Sequence, residues 1–335
     1  MKRIITCLSM LCMLVGLAMA SPGPKALAAS AETTLYGGIS TGMKPVGIYS
    51  TTTATPPTLT PLASISSVTP SAGVYIDGYY HVLSAYIRGS KVLLTTLEKY
   101  DTNTWQIVES LSSGTDVPTS LVYNPKDGKT YGCYPANSSL FRLCTLDLTS
   151  GVKTNGGVLD QRYVALFTDN SGKVYGIGLD GNLCQLNLET AEATVIGATG
   201  VTPSIDVQDA CFDESTNTVY WFAHTADESS LYTVDVTTGK ATKVTDFASP
   251  AIRWAGVFAK PAKKVEKPAF IAKMRTEFDK SSLTGKFIFT MPDKTESGEA
   301  LTSNLSYKFF LNDAEYKTGE GAPGAEVEVP VTVPA

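Results

Sequence analysis

The residues best able to do chemistry in this 335-residue chain fall at the starts of a few apolar runs and in the polar loops ahead of them. Thr119 and Ser120, Tyr163, Gln208 and Asp209, and Arg253 and Trp254 open such runs; Asp116, Asp160, Arg162 and Asp206 lie close by. Gathered around one mouth, Trp254 and Tyr163 would stack on apolar ligand surfaces. Arg162, Arg253, Asp116, Gln208 and Asp209 would fix orientation. That is the chemistry of a carbohydrate or peptide site. The plainer alternative packs Trp254 between sheets and pairs Arg253 with a neighbouring aspartate.

Catalysis has a thinner basis. A glycan hydrolase needs paired carboxylates across the mouth, and Asp116, Asp206 and Asp209 are the trio on offer. No Glu opens an inner run, and nothing marks a proton donor in an apolar pocket. His81 and His224 are the only histidines and fall in non-neighbouring repeats, so a shared metal is not expected; both read as structural or solvent-facing. After removal of Cys7 and Cys12 with a leader, Cys133, Cys144, Cys184 and Cys211 remain, at spacings that fit no zinc pattern. They read as buried free thiols, with Cys133–Cys144 the one disulfide to test. No pattern calls for a cofactor. Asn170-Ser171-Gly172 loosely resembles the Asp-box hairpin of sialidases, but with the Asp displaced and Tyr175 for the final Trp it reads as an ordinary turn. Asn137-Ser138-Ser139 and Asn304-Leu305-Ser306 match glycosylation sequons, relevant only in a eukaryotic host.

The elements that would position these residues come from an internal repeat. LVYNPKDGKTYGCY (121–134), ALFTDNSGKVYGIG (165–178) and ACFDESTNTVYWFA (210–223) share a β-rich run, a polar turn and a second run with Tyr in the same place. A third run and a short fourth follow each. Weaker copies lie upstream. The landmark tyrosines are Tyr36, Tyr80, Tyr131, Tyr175 and Tyr220, spaced 44, 51, 44 and 45 residues apart. Four strands per unit of about 45 residues is the signature of a propeller blade. The predicted fold is therefore all-β: a five-bladed β-propeller over residues 33–259. The first unit lacks its innermost strand, and IRWAGVFA (252–259) has no successors; set beside TLYGGIS (34–40) it would complete that unit and close the ring. Turns such as Asn124–Lys129 and Asn170–Lys173 are short, whereas Ser112–Thr119, Gly200–Gln208 and Ser249–Arg253 are long. The binding face is expected on the side of the long loops.

Met1-Lys2-Arg3, the apolar Ile4–Leu17 and the small-x-small Ala18-Met19-Ala20 read as a signal peptide over 1–20, followed by a disordered leader over 21–32. The expected destination is secretion, the cell surface or the periplasm, with no membrane span after cleavage. A formal net charge of −5 and the lack of a basic cluster outside a short linker argue against nucleic acid. The linker, KPAKKVEKP (260–268), introduces a second domain over 269–335. Its strands, with Thr284-Gly285-Lys286-Phe287-Ile288-Phe289-Thr290-Met291-Pro292, Gly298-Glu299-Ala300-Leu301, Leu305-Ser306-Tyr307 and the stretch from Gly319 through Val333, resemble fibronectin type III domains of secreted and surface proteins from Bacteroidetes-like bacteria. At this length it would be incomplete, ending inside a fifth strand. The Ser230–Thr242 stretch (SLYTVDVTTGKAT) resembles the repeats of bacterial secreted propellers; that resemblance implies binding or surface roles. The expected function is a binding or adhesion protein recognising a glycan or protein ligand at the propeller mouth. A glycoside hydrolase or a purely structural surface module are the alternatives.

Overall fold

The computed structural model describes residues 32–332 apart from 66–67, 90, 262–267, 270, 272–273, 280, 297, 299 and 312–313. The segments expected to be a signal peptide and a leader, up to residue 31, most of the expected linker and residues 333–335 lie outside the described residues. The chain divides into two units, Met1–Pro261 and Ala262–Ala335. No helix occurs among the described residues, and so none long and apolar enough to cross a membrane.

The first unit is built of antiparallel sheets in chain order. β1 (Thr34–Thr41), β2 (Gly47–Thr52) and β3 (Thr60–Ser64) make the first, with β21 (Arg253–Ala259) on the other side of β1. β4 (Thr69–Ile76), β5 (Tyr79–Arg88), β6 (Lys91–Asp101) and β7 (Gln106–Ser112) make the second. β8 (Ser120–Asn124), β9 (Lys129–Pro135) and β10 (Phe141–Leu146) make the third, edged by the two-residue strands β11 (Lys153–Thr154) and β12 (Val158–Leu159). β13 (Tyr163–Thr168), β14 (Val174–Gly178), β15 (Asn182–Leu186) and β16 (Ala193–Ala198) form the fourth. β17 (Asp209–Asp213), β18 (Thr218–His224), β19 (Ser229–Val234) and β20 (Ala241–Asp246) form the fifth. The pairing of the Trp254 segment with the Tyr36 segment, expected from the unmatched strand, is present: Ile39 faces Trp254 and Tyr36 faces Phe258.

The turns follow from local chemistry. Between third and fourth strands, Asp147, Asn187 and Asp235 each accept the backbone N–H two residues on, at 2.8, 2.9 and 2.8 Å. Gly151, Ala191 and Gly239 then take the left-handed conformation, with φ of 70°, 63° and 81°. An Asx side chain closing its own turn, followed by a left-handed residue, reverses the chain within a few residues. Asn124, Asp169 and Asp213 do the same between first and second strands.

Apolar faces meet between successive sheets. Tyr80, Val82 and Tyr100 pack with Ile48 and Phe258; Leu83 and Leu97 with Leu121 and Leu146; Cys133 and Leu143 with Leu166 and Cys184. Val164 and Phe167 pack with Trp221 and Tyr232, and Phe222 and Phe247 of the fifth sheet with Ile39 and Trp254 of the first. Burying faces this way is the main stabilising term, at roughly 25 cal/mol per Å² of apolar surface. Cys133 faces the fourth sheet and Cys144 the second. Because Cys133 pairs with Leu143, the neighbour of Cys144, the two thiols lie on opposite faces of their sheet. The Cys133–Cys144 disulfide is thereby excluded; all four cysteines of the described region are free and buried.

In the second unit, β22 (Met274–Asp279), β23 (Thr284–Thr290) and β26 (Glu326–Thr332) form one sheet, and β24 (Leu305–Leu311) and β25 (Ala314–Gly321) another. Phe289, Met291 and Val329 form their shared core, against Phe287, Tyr307 and Phe309.

Candidate functional site

The first strands of the five sheets, β21, β4, β8, β13 and β17, neighbour one another in that order, and β17 also neighbours β21. At their starts they are tied by one carboxylate. Asp209, at the head of β17, is 2% exposed. Its Oδ1 accepts from Ser120 Oγ at 2.7 Å and from the Ala210 N–H at 3.0 Å; its Oδ2 accepts from the Gly256 N–H at 2.8 Å. Ser120 Oγ in turn accepts the Leu166 N–H at 2.9 Å. Three first strands thus meet at this carboxylate, and a fourth, β13, is joined to it through Ser120. The fifth, β4, comes close at Gly256, where φ is +58° and a Cβ would lie 2.5 Å from the Gly73 nitrogen; only glycine fits there. Burial pushes the Asp209 carboxyl up to about 7, against the opposing pull of the Ser120, Ala210 and Gly256 donors.

The residues expected to ring an open mouth on this side are mostly closed over. Trp254 is 1% exposed, wedged against Phe222 and Phe247, with no hydrogen-bond partner on its indole N–H among the described residues. Its ring has no open face on which a ligand could stack. Tyr163 is fully buried, its hydroxyl donating to Asp160 at 2.9 Å. Gln208 is buried too; its Nε2 donates to the carbonyls of Ser204 and His224 and its Oε1 accepts the Trp221 indole N–H. Asp116 pairs with Lys153.

Two of the expected residues do meet. Arg253 Nη2 contacts Asp206 Oδ2 at 3.0 Å, and its Nη1 donates to Thr41 Oγ1 and the Ala251 carbonyl. Arg162 donates to the Ile205 carbonyl at 2.6 Å, in the same loop as Asp206. Burial lowers the Arg162 pKa, and both arginines keep a buried Nε–H without a partner among the described residues. Beside them lie Ser204 and His224, with Ser204 Oγ 2.7 Å from His224 Nδ1. Sequence reasoning passed over Ser204 and treated His224 as structural or solvent-facing; it is the buried last residue of β18. The other histidine, His81, is buried mid-strand in β5, and burial lowers its pKa to about 4.

The open space lies at the opposite end of the same strands. A cavity of about 360 Å³ is lined by the later residues of all five first strands, including Tyr75, Val122, Phe167, Cys211 and Phe258. These five are the backbone partners of the landmark tyrosines: Tyr75 of Tyr80, Val122 of Tyr131, Phe167 of Tyr175, Cys211 of Tyr220 and Phe258 of Tyr36. The cavity is therefore assembled from one equivalent position per repeat. It opens beside the short first-to-second-strand turns, not beside the long loops. Its wall is apolar; among the described residues, Asp77, Asp169 and Glu214 are the charged ones lining it, with no Lys or Arg. Asp169 is engaged within its own turn, by Ser171, Lys173 and Tyr175. Among the described residues no three His, Cys, Asp or Glu side chains gather as metal ligands do.

No family model matches the chain, and no curated protein matches it. Among solved structures it is similar to a chain of a nidogen/laminin complex, at 8% identity over 68% of this chain and 97% of that one, with a TM-score of 0.43. A protein described as a candidate 6-phosphogluconolactonase from Bacteroides uniformis is similar at 12% identity over 89% and 99%, with a TM-score of 0.42. A gluconolactonase from Xanthomonas campestris is similar at 10% identity over 78% and 84%, with a TM-score of 0.38. These likenesses carry neither an activity nor a ligand to this chain; what it can bind is argued from its own cavity and side chains.

Proposed function

We propose that residues 33–259 form a closed five-bladed β-propeller that works as an exported binding module, taking a peptide segment in its axial cavity. The fibronectin type III-like second unit then serves as spacer or attachment. Five interfaces between successive sheets, the last joining the fifth sheet to the first, support the ring. The observation that carries the binding reading is the cavity of about 360 Å³ lined by all five first strands. Apolar walls with aromatic rings at Tyr75 and Tyr123, and carboxylates at Asp77 and Glu214, suit an apolar side chain next to a basic group. A glycan is the second ligand class the aromatics admit.

The reading of Asp116, Asp206 and Asp209 as hydrolase carboxylates finds no support in the geometry. Asp209 is buried under donors, Asp206 is held by Arg253, and Asp116 by Lys153.

The test is a peptide array and a glycan array probed with the wild type and with Thr168→Trp, which puts an indole into the cavity. Binding to basic-apolar peptides by the wild type, reduced at least tenfold in the variant, is expected. Binding on neither array, or equal binding by both proteins, would contradict the reading.

A further inference from the structure

At the other end of the strands from the cavity, Ser204 and His224 are arranged as a nucleophile and its base. His224 Nε2 lies 2.9 Å from the Pro250 carbonyl oxygen. A carbonyl can only accept, so Nε2 carries the ring proton of the neutral imidazole. Nδ1 is then the lone-pair side. The only group within hydrogen-bond reach of it among the described residues is Ser204 Oγ, at 2.7 Å. Ser204 Oγ also lies 3.5 Å from Asp206 Oδ2, but the 2.7 Å contact to Nδ1 is much the shorter, so the serine proton points at the histidine.

The pair is held from several sides. The Ser204 backbone N–H donates to the His224 carbonyl at 2.8 Å, and the buried Gln208 amide donates to the Ser204 carbonyl at 2.9 Å. The Asp206 N–H donates to Ser204 Oγ at 3.1 Å, fixing the hydroxyl rotor. Asp206 Oδ2 stands 3.6 Å from Nδ1, where it would stabilise a proton arriving there. Ser204 remains partly exposed while His224 is buried. Burial and the nearby Arg253 lower the His224 pKa, so the base is neutral at neutral pH.

We propose that Ser204 and His224 form an acyl-transfer site for small carboxylic esters: Ser204 as nucleophile, His224 as general base, the Pro250 carbonyl fixing the tautomer. The logic is that of a nucleophile–base–orienter triad, with a backbone carbonyl in the third place. Ser204 Oγ attacks the ester carbonyl as its proton passes to His224 Nδ1. The tetrahedral intermediate collapses, the C–O bond to the alcohol breaks, and the leaving alkoxide takes the proton from Nδ1. A water molecule then attacks the acyl-serine, gives its proton to Nδ1, and Ser204 Oγ leaves carrying it back. The Arg253 and Arg162 guanidiniums at the same loop supply positive charge near the developing oxyanion.

Two measurements on the full chain test this. The first is labelling by a fluorophosphonate, with the adduct located by mass spectrometry, alongside turnover of 4-nitrophenyl acetate. The adduct is expected on Ser204, and both rates should fall at least a hundredfold in His224→Gln and stay unchanged in His81→Gln. The second is Ser204→Cys, nearly isosteric and so safe for folding, alkylated by iodoacetamide across pH. With His224 as proton acceptor its reactivity should set in well below the ordinary thiol range around pH 8.5. An adduct elsewhere or none, labelling indifferent to His224, or a thiol that titrates as a free cysteine would overturn the assignment.

Discussion

Asp209 shows how a single side chain changes meaning once its surroundings are known. At the head of an inner run it reads as an acid at an open mouth; in place it is a buried carboxylate that accepts from its own strand and from two others, β8 and β21. What the sequence could not supply was the identity of those donors, because Ser120 and Gly256 lie 89 and 47 residues away. The consequence is a pH dependence with a definite sign. In the unfolded chain the carboxyl titrates near 4, and in the folded protein near 7. Between these values the folded state holds a proton that the unfolded state has lost, so stability falls as pH rises from about 4 to about 7. Three units correspond to on the order of 4 kcal/mol. Denaturant titrations at pH 4.5 and 7.5 should show a loss of that order in the wild type that is absent in Asp209→Asn. A wild type no less stable at the higher pH than Asp209→Asn makes it would refute this.

At the level of strands, the repeat and its turns were legible because both rest on local chemistry. Asx residues and left-handed positions recur at fixed offsets, and the Tyr131, Tyr175 and Tyr220 positions align in register. The partnership of β21 with β1 was legible by elimination. Which end of the inner strands is open was not. It depends on how side chains fill the axis, and of the two readings of Trp254, an exposed platform or packing between sheets, the second holds: it is buried between the fifth and first sheets. Trp254→Ala should therefore cost about 3–5 kcal/mol of stability, the range for emptying a large buried aromatic site. It should leave ligand binding at the axial cavity unchanged under conditions where the variant is folded. A melting temperature within a degree of the wild type, together with lost binding, would return Trp254 to the ligand.

For the molecule as a whole, the two ends of the first strands in the first unit have different characters. One end presents a cavity with apolar walls and an acidic edge. The other is plugged by Asp209 and carries the Arg162, Arg253, Asp206, Ser204 and His224 cluster. Sequence composition marked both aromatics and acids but could not apportion them between ends, since each first strand contributes its early residues to one and its late residues to the other. A ligand for the cavity and an ester at the serine would engage opposite ends of the same strands, so Thr168→Trp should leave fluorophosphonate labelling of Ser204 at the wild-type rate.

The proposed ring rests on β21 lying beside β1. Amide hydrogen exchange on the intact chain reads that directly. Thr34–Thr41 and Arg253–Ala259 should exchange together, as slowly as the paired amides of Asp209–Asp213 in the fifth sheet. Rapid exchange of either stretch, as from an unpaired edge, would mean that the ring is open and that the cavity is not built as described.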